Sequence, residues 1–329
     1  MKKLLLATAA MFSLAGAASA DVIKIYTGGA PTGAGSTYHE GIGQGVADFL
    51  EPIADKFGYD VVLVPSNGAV DNANKVAGAK KQITFGIGQG GLEYDAVKAG
   101  GAKILRKDLP GECAMAFTAE PRIASWGDVV ENAGRVSWVV PENSGSEAFI
   151  RKLYAEDSNF AGQTPRFAYA SGADSIVATV NNPANRGTVG FFYAYPNPQK
   201  GLVNAAAKAD LDIFGVLSPD VAKGDDAYYL NRQAPYELAW FGMGKTKTTR
   251  AMCSKALLFV NDTSGITDPW AAADAREILA AVAAAPASAF TPQNGPLAGL
   301  MAKIEEMSEE HGINEMVQDL EAQVKQVAN

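Results

Sequence analysis

Short polar loops carry the chemistry-bearing residues of this chain. Thr27 and Gly28 stand at the end of an apolar stretch, and Ser36, Thr37 and Tyr38 follow after further glycines. Ser66, Asn67 and Gly68 form a second polar group, Gln89 and Gly90 a third, and Ser144, Gly145 and Ser146 a fourth. Tyr38, Tyr94, Phe192 and Tyr193 supply aromatic surface nearby in sequence. Hydroxyls, carboxamides and glycines at the start of helical patterns expose backbone N–H groups at the positive end of a helix, which suits an anionic or strongly polar guest. A few placed polar groups among apolar walls are what a small-molecule pocket needs. Each of these residues, taken singly, is equally a turn or helix-cap residue. Their recurrence loop after loop is what favours a pocket.

Other chemistries fit less well. A phosphate-binding loop of the Walker type requires lysine before Ser or Thr, and counting from Gly28 and Gly33 puts Ala34 at that place. Gly86-Ile-Gly88-Gln-Gly-Gly91 matches the dinucleotide pattern, which is weak alone. There is no nucleophile elbow of the form G-x-S-x-G. The two histidines are His39 and His311, so a hydrolase would have to use Ser36 or Ser144 with His39. His39-Glu40 lacks the ligand clustering of a metal site. The expectation is binding without catalysis, cofactor or metal, with a secreted serine hydrolase as the rival.

The loops require strands and helices to hold them. Ile23–Tyr26 reads as a strand, Tyr38–Phe57 as an amphipathic helix with Gly41, Gly43 and Gly45 near its start, and Tyr59–Val64 as a buried strand ended by Pro65. A helix over Val70–Ala79, a strand over Ile83–Ile87, a short helix over Leu92–Ala99 and a strand over Ala102–Leu105 follow. Cys113–Thr118 carries the chain onward. A second series then repeats the order: strand Arg135–Val140, helix Glu147–Ala155, strand Arg166–Ala170, helix Ser175–Asn181, strand Thr188–Ala194, helix Leu202–Ala209 and strand Leu211–Leu217. Alternation at this spacing predicts an α/β fold of two doubly wound domains, with the polar loops at the carboxyl ends of parallel strands facing a cleft. Ala251–Val260 reads as a returning strand. Asp268-Pro269-Trp270 opens a helical C-terminal region that continues through Leu297–Met307 and Ile313–Val327. The predicted division is a leader over 1–20, one domain from 21–114 plus 251–329, and a second over 115–250.

The 329 residues carry a formal net charge of −8 and no basic cluster, which argues against nucleic acid as a partner. Met1-Lys2-Lys3, the apolar run Leu4–Gly16 and the small residues Ala18-Ser19-Ala20 form a secretory leader of the bacterial type, with Asp21 the expected first mature residue. No later apolar run is long enough to span a bilayer, so the expected mature protein is periplasmic and not membrane-inserted. Cys113 and Cys253 are the two cysteines, both in strand-like stretches. An exporting compartment permits a bridge if the strands are neighbours, and two buried thiols are the other possibility.

Three segments resemble a known family. Thr27-Gly28-Gly29 with Ser36-Thr37-Tyr38, Ser66-Asn67-Gly68-Ala69-Val70-Asp71-Asn72, and Phe85-Gly-Ile-Gly-Gln89 with Tyr94-Asp95-Ala96 are similar to loops of the TAXI-type receptors of TRAP transporters, which are periplasmic solute-binding proteins. Ser144-Gly145-Ser146-Glu147 and Gly190-Phe191-Phe192-Tyr193 resemble that family's second-domain loops. The resemblance implies two α/β domains of the type II binding-protein kind, closure around a ligand, and delivery of a small, often acidic, organic solute to a membrane permease. The opening loop is enlarged over Ala30–Gly35, and Ala69 stands where the family has serine. No arginine falls at a matched loop position, which leaves Arg106, Arg122, Arg151 and Arg186 as candidate carboxylate partners. A receptor of the ABC type would show much the same signals.

Overall fold

A computed structural model describes residues 21–28, 38–194, 201–224, 227–237 and 247–291. The expected leader, Ser36, Thr37, the Ala30–Gly35 enlargement, His311 and the two last predicted helices lie outside the described residues, as do the side chains of Tyr38 and His39.

Strand β1 (Asp21–Tyr26) pairs in parallel with β2 (Tyr59–Val64) on one side and β3 (Thr84–Gln89) on the other. Between β1 and β2 the chain forms a π-helical turn, Tyr38–Gly43, that runs into α1 (Gln44–Ala54). The expected single helix from Tyr38 is therefore regular only from Gln44, after Gly41 and Gly43, and glycine favours coil over regular helix by about 1 kcal/mol each. Helix α2 (Ala69–Gly78) links β2 to β3, and the short α3 (Asp95–Lys98) leads into β4 (Ala102–Thr118). Ile25, Val46, Leu50, Val76, Phe85 and Ile87 are fully enclosed between this sheet and its helices. Apolar side chains on both faces of such strands are what a parallel sheet covered on both sides requires.

The second series follows: α4 (Trp126–Glu131), β5 (Ser137–Val140), α5 (Gly145–Glu156), β6 (Arg166–Tyr169), α6 (Ala173–Val180), β7 (Thr188–Ala194), α7 (Gly201–Lys208), β8 (Asp212–Gly215) and α8 (Pro219–Gly224). Here β5 lies between β6 and β7 and is parallel to both. Strands β9 (Tyr228–Glu237) and β10 (Lys247–Asn261) form an antiparallel pair, and α9 (Pro269–Ala284) packs back onto the first series. Asp268 caps α9 by accepting from Ala271 N at 2.8 Å, with Pro269 at the first helical position.

The fold is thus mixed α/β, with a parallel group at each end and a helix at the carboxyl side. Among the described residues the ten strands form one sheet, in the order β2-β1-β3-β10-β4-β7-β5-β6, with β8 also on β4 and β9 also on β10. The joining strands are β4 and β10. The first part of β4 pairs antiparallel with β10 from Ala102↔Asn261 to Cys113↔Cys253, and its last part, Cys113–Phe117, pairs with β7. The expected separate strands at Ala102–Leu105 and Cys113–Thr118 are one strand of 17 residues. Leu109-Pro110-Gly111 reads as a break, but the chain passes through it as an irregularity in register between Ala256↔Leu109 and Ser254↔Glu112, a place where a strand tolerates proline. Cys113 and Cys253, directly opposed, form a disulfide with a Cα–Cα distance of 3.9 Å. The bridge stands at the rung where β4 exchanges one group of partners for the other.

No described helix is long and apolar enough to cross a membrane.

Candidate functional site

Three strand-end loops meet between the two parallel groups. The first follows β2. Ser66 is buried, and its hydroxyl donates to Asn72 Oδ1. Asn72, itself fully enclosed, donates from Nδ2 to Ile87 O at 2.8 Å. The loop is thereby fastened to β3. Asn67 N donates to Asp71 Oδ2 at 3.0 Å, while the Asn67 side chain is exposed. Gly68, at φ +116°, precedes α2, which has no side-chain cap. That φ suits glycine alone, and a Cβ there would lie 3.2 Å from Ser144 Cβ.

The second loop ends β3. Gln89 is buried, and its N–H donates to Tyr94 Oη at 2.9 Å. The Tyr94 hydroxyl also lies 3.3 Å from Gln89 O and 3.4 Å from its Oε1. Gly90 N donates to Lys255 O at 2.7 Å, so the β3–β10 pairing runs on past the strand end. Burial pushes the Tyr94 hydroxyl far above its ordinary pKa, partly opposed by the hydrogen bond with Gln89. It is therefore a permanent proton donor and acceptor at neutral pH.

The third loop follows β5 and opens α5. Ser144 Oγ accepts from Glu147 N at 3.1 Å, and Glu147 Oε2 accepts from Asn143 N at 2.8 Å, a reciprocal cap. Glu147 Oε1 also accepts from Arg151 Nη2 at 2.7 Å and from the Tyr169 hydroxyl at 3.1 Å. Gly145 lies against the end of β3. A Cβ on it would lie 2.6 Å from Gln89 Cδ and 3.0 Å from its Nε2, closer still to its Oε1. Only a residue without a side chain lets the Gln89 carboxamide rest on the first turn of α5.

The structure thus brings Gly68, Gln89, Ser144 and Gly145 together, with Ser66 behind them and Ser146 on the same turn of α5. Thr27 is fully enclosed; its N–H donates to Val64 O at 3.1 Å, which sets the start of the first loop beside β2. Gly28 is buried next to it. Phe192 and Tyr193 are separated: Phe192 packs on Phe117 at a ring distance of 5.5 Å in the core beneath α6 and α7, whereas Tyr193 faces the opposite side, 5.5 Å from the ring of Phe149 on α5. Successive side chains of a strand point to opposite faces, so the two cannot line one wall.

The arginines are engaged elsewhere. Arg106 donates to both oxygens of Asp108, at 2.8 and 2.6 Å, and to the carbonyls of Val282, Ala283 and Ala285 at the end of α9. Its work is to fasten the C-terminal helix, where cations are favoured. Arg122 pairs with Glu120 at the surface, Arg151 with Glu147, and Arg186 is exposed. The N-termini of α2 and α5 lie at these loops, each with an acidic residue in its first turn, Asp71 and Glu147. Among the described residues no group of three or more His, Cys, Asp or Glu is placed to hold a metal.

Sequence reasoning passed over one further feature. Glu112 on β4, Ser254 on β10 and Tyr228 on β9 stand directly opposite one another across three neighbouring strands. All three are buried, with Glu112 and Ser254 each 1% exposed. The available signal was the charge at the head of Glu112-Cys-Ala-Met-Ala-Phe-Thr118, an otherwise apolar strand.

No family model matches the chain, and no curated protein matches it. Among solved structures, the chain is similar to the periplasmic binding protein BugD, at 12% identity and a TM-score of 0.46 over 88% of this chain and 94% of that one. It is also similar to Rpa4515 of R. palustris with adipate, at 11% identity and a TM-score of 0.44 over 88% and 97%. XAC2383 from Xanthomonas citri bound to ATP matches at 12% identity and a TM-score of 0.43 over 91% and 99%.

Proposed function

We propose that this protein is an extracytoplasmic receptor that captures a small polar, anionic organic solute between two α/β units and delivers it to a membrane transporter. The observation that carries the reading is the meeting of Gly68 with Ser144 and of Gln89 with Gly145. Polar loops from both parallel groups close on one another there, at the starts of α2 and α5. Helix N-termini attract anionic groups through their unsatisfied N–H groups and partial positive charge. Two glycines at the meeting point keep backbone within reach of a guest. The units are residues 21–114 with the segment after 250, and 115–250; they turn about β4 and β10, and a ligand that touches both favours the closed arrangement.

The leader read in the sequence sends the chain to the periplasm, and the resemblance of its loops to TAXI-type receptors makes a TRAP permease the partner. An ABC permease is the alternative, since the capture geometry is the same for both. Ser144 spends its hydroxyl on capping α5 and sits beside glycine and glutamine, which favours a binding role over nucleophilic attack.

The test is to denature the purified protein and identify the released small molecule by mass spectrometry, then to return it to ligand-free protein in a thermal melt. A ligand that binds only the native state raises Tm as its concentration rises above Kd. A released organic anion that stabilises without being consumed supports the receptor. Turnover of the compound, lost in His39→Ala, would replace the receptor with a hydrolase.

A further inference from the structure

Strands β4 and β10 carry the chain between the parallel groups, and the pairing of β4 changes character at one rung. On the side of the first group, from Ala102↔Asn261 to Glu112↔Ser254, β4 pairs irregularly with β10. The register shifts between Ser254 and Ala256, between Ala256 and Leu258 and between Leu258 and Phe259, and each time β4 holds one residue more than β10. Extra residues of that kind are left unpaired, bend the strand and raise its twist, and Pro110-Gly111 falls among them. On the side of the second group β4 runs without a shift, opposite β7 from Cys113↔Ala194 to Phe117↔Gly190 and opposite β8 from Met115↔Gly215 to Thr118↔Asp212. The rung at the boundary is Cys113↔Cys253, and it is covalent.

The bridge is anchored on one side of this boundary. Cys113 and Cys253 are buried in an apolar cluster with Met115, Phe117, Val139 and Phe192, all on the side of the second group. The bulged stretch on the other side is the compliant part of the crossing. A strand pair whose ladder is already interrupted resists slippage poorly, and a slip of one residue turns every side chain to the opposite face. A covalent link at the end of the bulges forbids that slip and leaves bending as the motion open to the two strands. The contacts that depend on it are those of Gly68 with Ser144 and of Gly145 with Gln89, which lie across the same crossing and are so close that a Cβ on Gly145 would overlap the Gln89 carboxamide.

Resting on the receptor reading, we propose that the Cys113–Cys253 bridge is the pivot of closure and makes solute capture conditional on oxidation. With the bridge formed, the bulged strands bend about a fixed rung and the loops meet in register. With free thiols the strands slip, the share of molecules able to close falls, and apparent affinity falls by the same factor. Formation is a thiol–disulfide exchange: Cys113 and Cys253 give up their thiol protons and an electron pair to a disulfide oxidant, whose own S–S bond opens to thiols. Both residues are buried, so the bridge forms as the fold closes and is shielded from reductant afterwards. A chain that has not yet left a reducing compartment is therefore folded without being a competent trap.

Three samples are compared well below their melting temperatures: oxidised wild type, wild type unfolded and refolded in excess reductant, and Cys113→Ala/Cys253→Ala. Each is titrated calorimetrically with the compound recovered from denatured wild type, and its amide exchange is followed without any compound. The two samples that lack the bridge bind roughly 10-fold more weakly, as expected when about a tenth of the molecules can close. Their amides exchange faster over residues 104–112 and 254–259 but not in β1 or β2. Oxidised glutathione restores affinity to the refolded wild type and not to the double variant, and the refolded wild type carries the test if the double variant does not fold. Equal affinity in all samples, with only Tm lowered, would overturn the pivot, make the bridge a plain staple and leave the receptor standing. A refolded reduced chain without structure would overturn it too, since oxidation would then govern folding and not closure. If the oxidised wild type neither releases nor binds any compound, the receptor reading falls and takes the capture switch with it, whatever the exchange pattern.

Discussion

Gly145→Ala separates a moving interface from a static core. The added methyl would sit 2.6 Å from Gln89 Cδ, whereas carbon atoms rest about 3.5–4.0 Å apart, so the carboxamide must retreat by about 1 Å. Gln89 is buried and held at its backbone by Tyr94, which leaves it little room to withdraw. Overpacking of that kind costs about 1–3 kcal/mol. The backbone of Gly145 is not in the left-handed region, and it opens α5, so alanine there carries no backbone strain and favours the helix by up to about 1 kcal/mol. The two effects fall on different equilibria. If the units open and close, the clash is avoided by opening: the ligand-free protein keeps its Tm, and the cost appears wholly as weaker binding, roughly 5- to 150-fold. Calorimetry with the solute recovered from the purified protein measures the affinity, and small-angle scattering measures the larger radius of gyration of the unliganded variant. Gln89→Ala in the same chain removes the obstacle and should restore compaction, a coupling that a double-mutant cycle isolates. A Tm lowered by the full overpacking cost, with compaction and affinity unchanged, would refute the reasoning and make the contact ordinary core.

Three further outcomes follow from single contacts. Replacing Cys113 and Cys253 by alanine removes a bridge that closes a loop of 140 residues, worth at most about 5 kcal/mol through the unfolded state, and should lower Tm sharply; reactive thiols in denatured, unreduced wild type would contradict the bridge. Ser144→Ala removes the acceptor for Glu147 N and should cost about 1 kcal/mol in a denaturant titration, with Ser144→Gly costing only a few tenths; a Ser144→Ala variant as stable as wild type would mean the cap contributes nothing. The hydrogen bonds from Arg106 hold the Asp108 carboxyl below its ordinary pKa. Its folded pKa is depressed, so its contribution is complete above the ordinary carboxylate value and is lost as pH falls through the folded one. Asp108 is 44% exposed, which keeps the effect under about 1 kcal/mol. Melts of wild type and Asp108→Asn should therefore differ near neutrality and converge in acid, and a gap that widens on acidification would be the wrong sign.

What could be read from the residues depended on whether the signal was local. Strand Thr188–Ala194 coincides with β7, and Tyr59–Val64 with β2, because β-branched and aromatic runs bounded by turn residues mark buried strands without help from the rest of the fold. The cap of α9 at Asp268-Pro269 is likewise local. β9 was missed: Asn231, Arg232, Gln233 and Pro235 interrupt its apolar pattern, and it is tolerable as a strand only because β10 is its sole partner among the described residues. β4 was cut in two for the same kind of reason, since Pro110 breaks a strand in isolation but not at an irregularity in register opposite β10.

The candidate site divides along the same line. Glycine and hydroxyl residues at strand ends were legible because parallel sheets place ligands there. That Gly68 would face Ser144, and Gly145 the Gln89 carboxamide, was not, because those contacts cross from one parallel group to the other. Phe192 and Tyr193 were read together as neighbours in sequence, although strand periodicity alone puts them on opposite faces, and the buried fate of Phe192 follows from its packing on Phe117. The arginines sought as anion partners are spent on structure: Arg106 holds α9, and Arg151 holds Glu147. Positive charge was sought on side chains, while at these loops it lies in the backbone at the starts of α2 and α5, each of which also holds an acidic residue in its first turn, Asp71 and Glu147. On the receptor proposal, selectivity is set by the groups spaced along this meeting point and not by the global charge of −8.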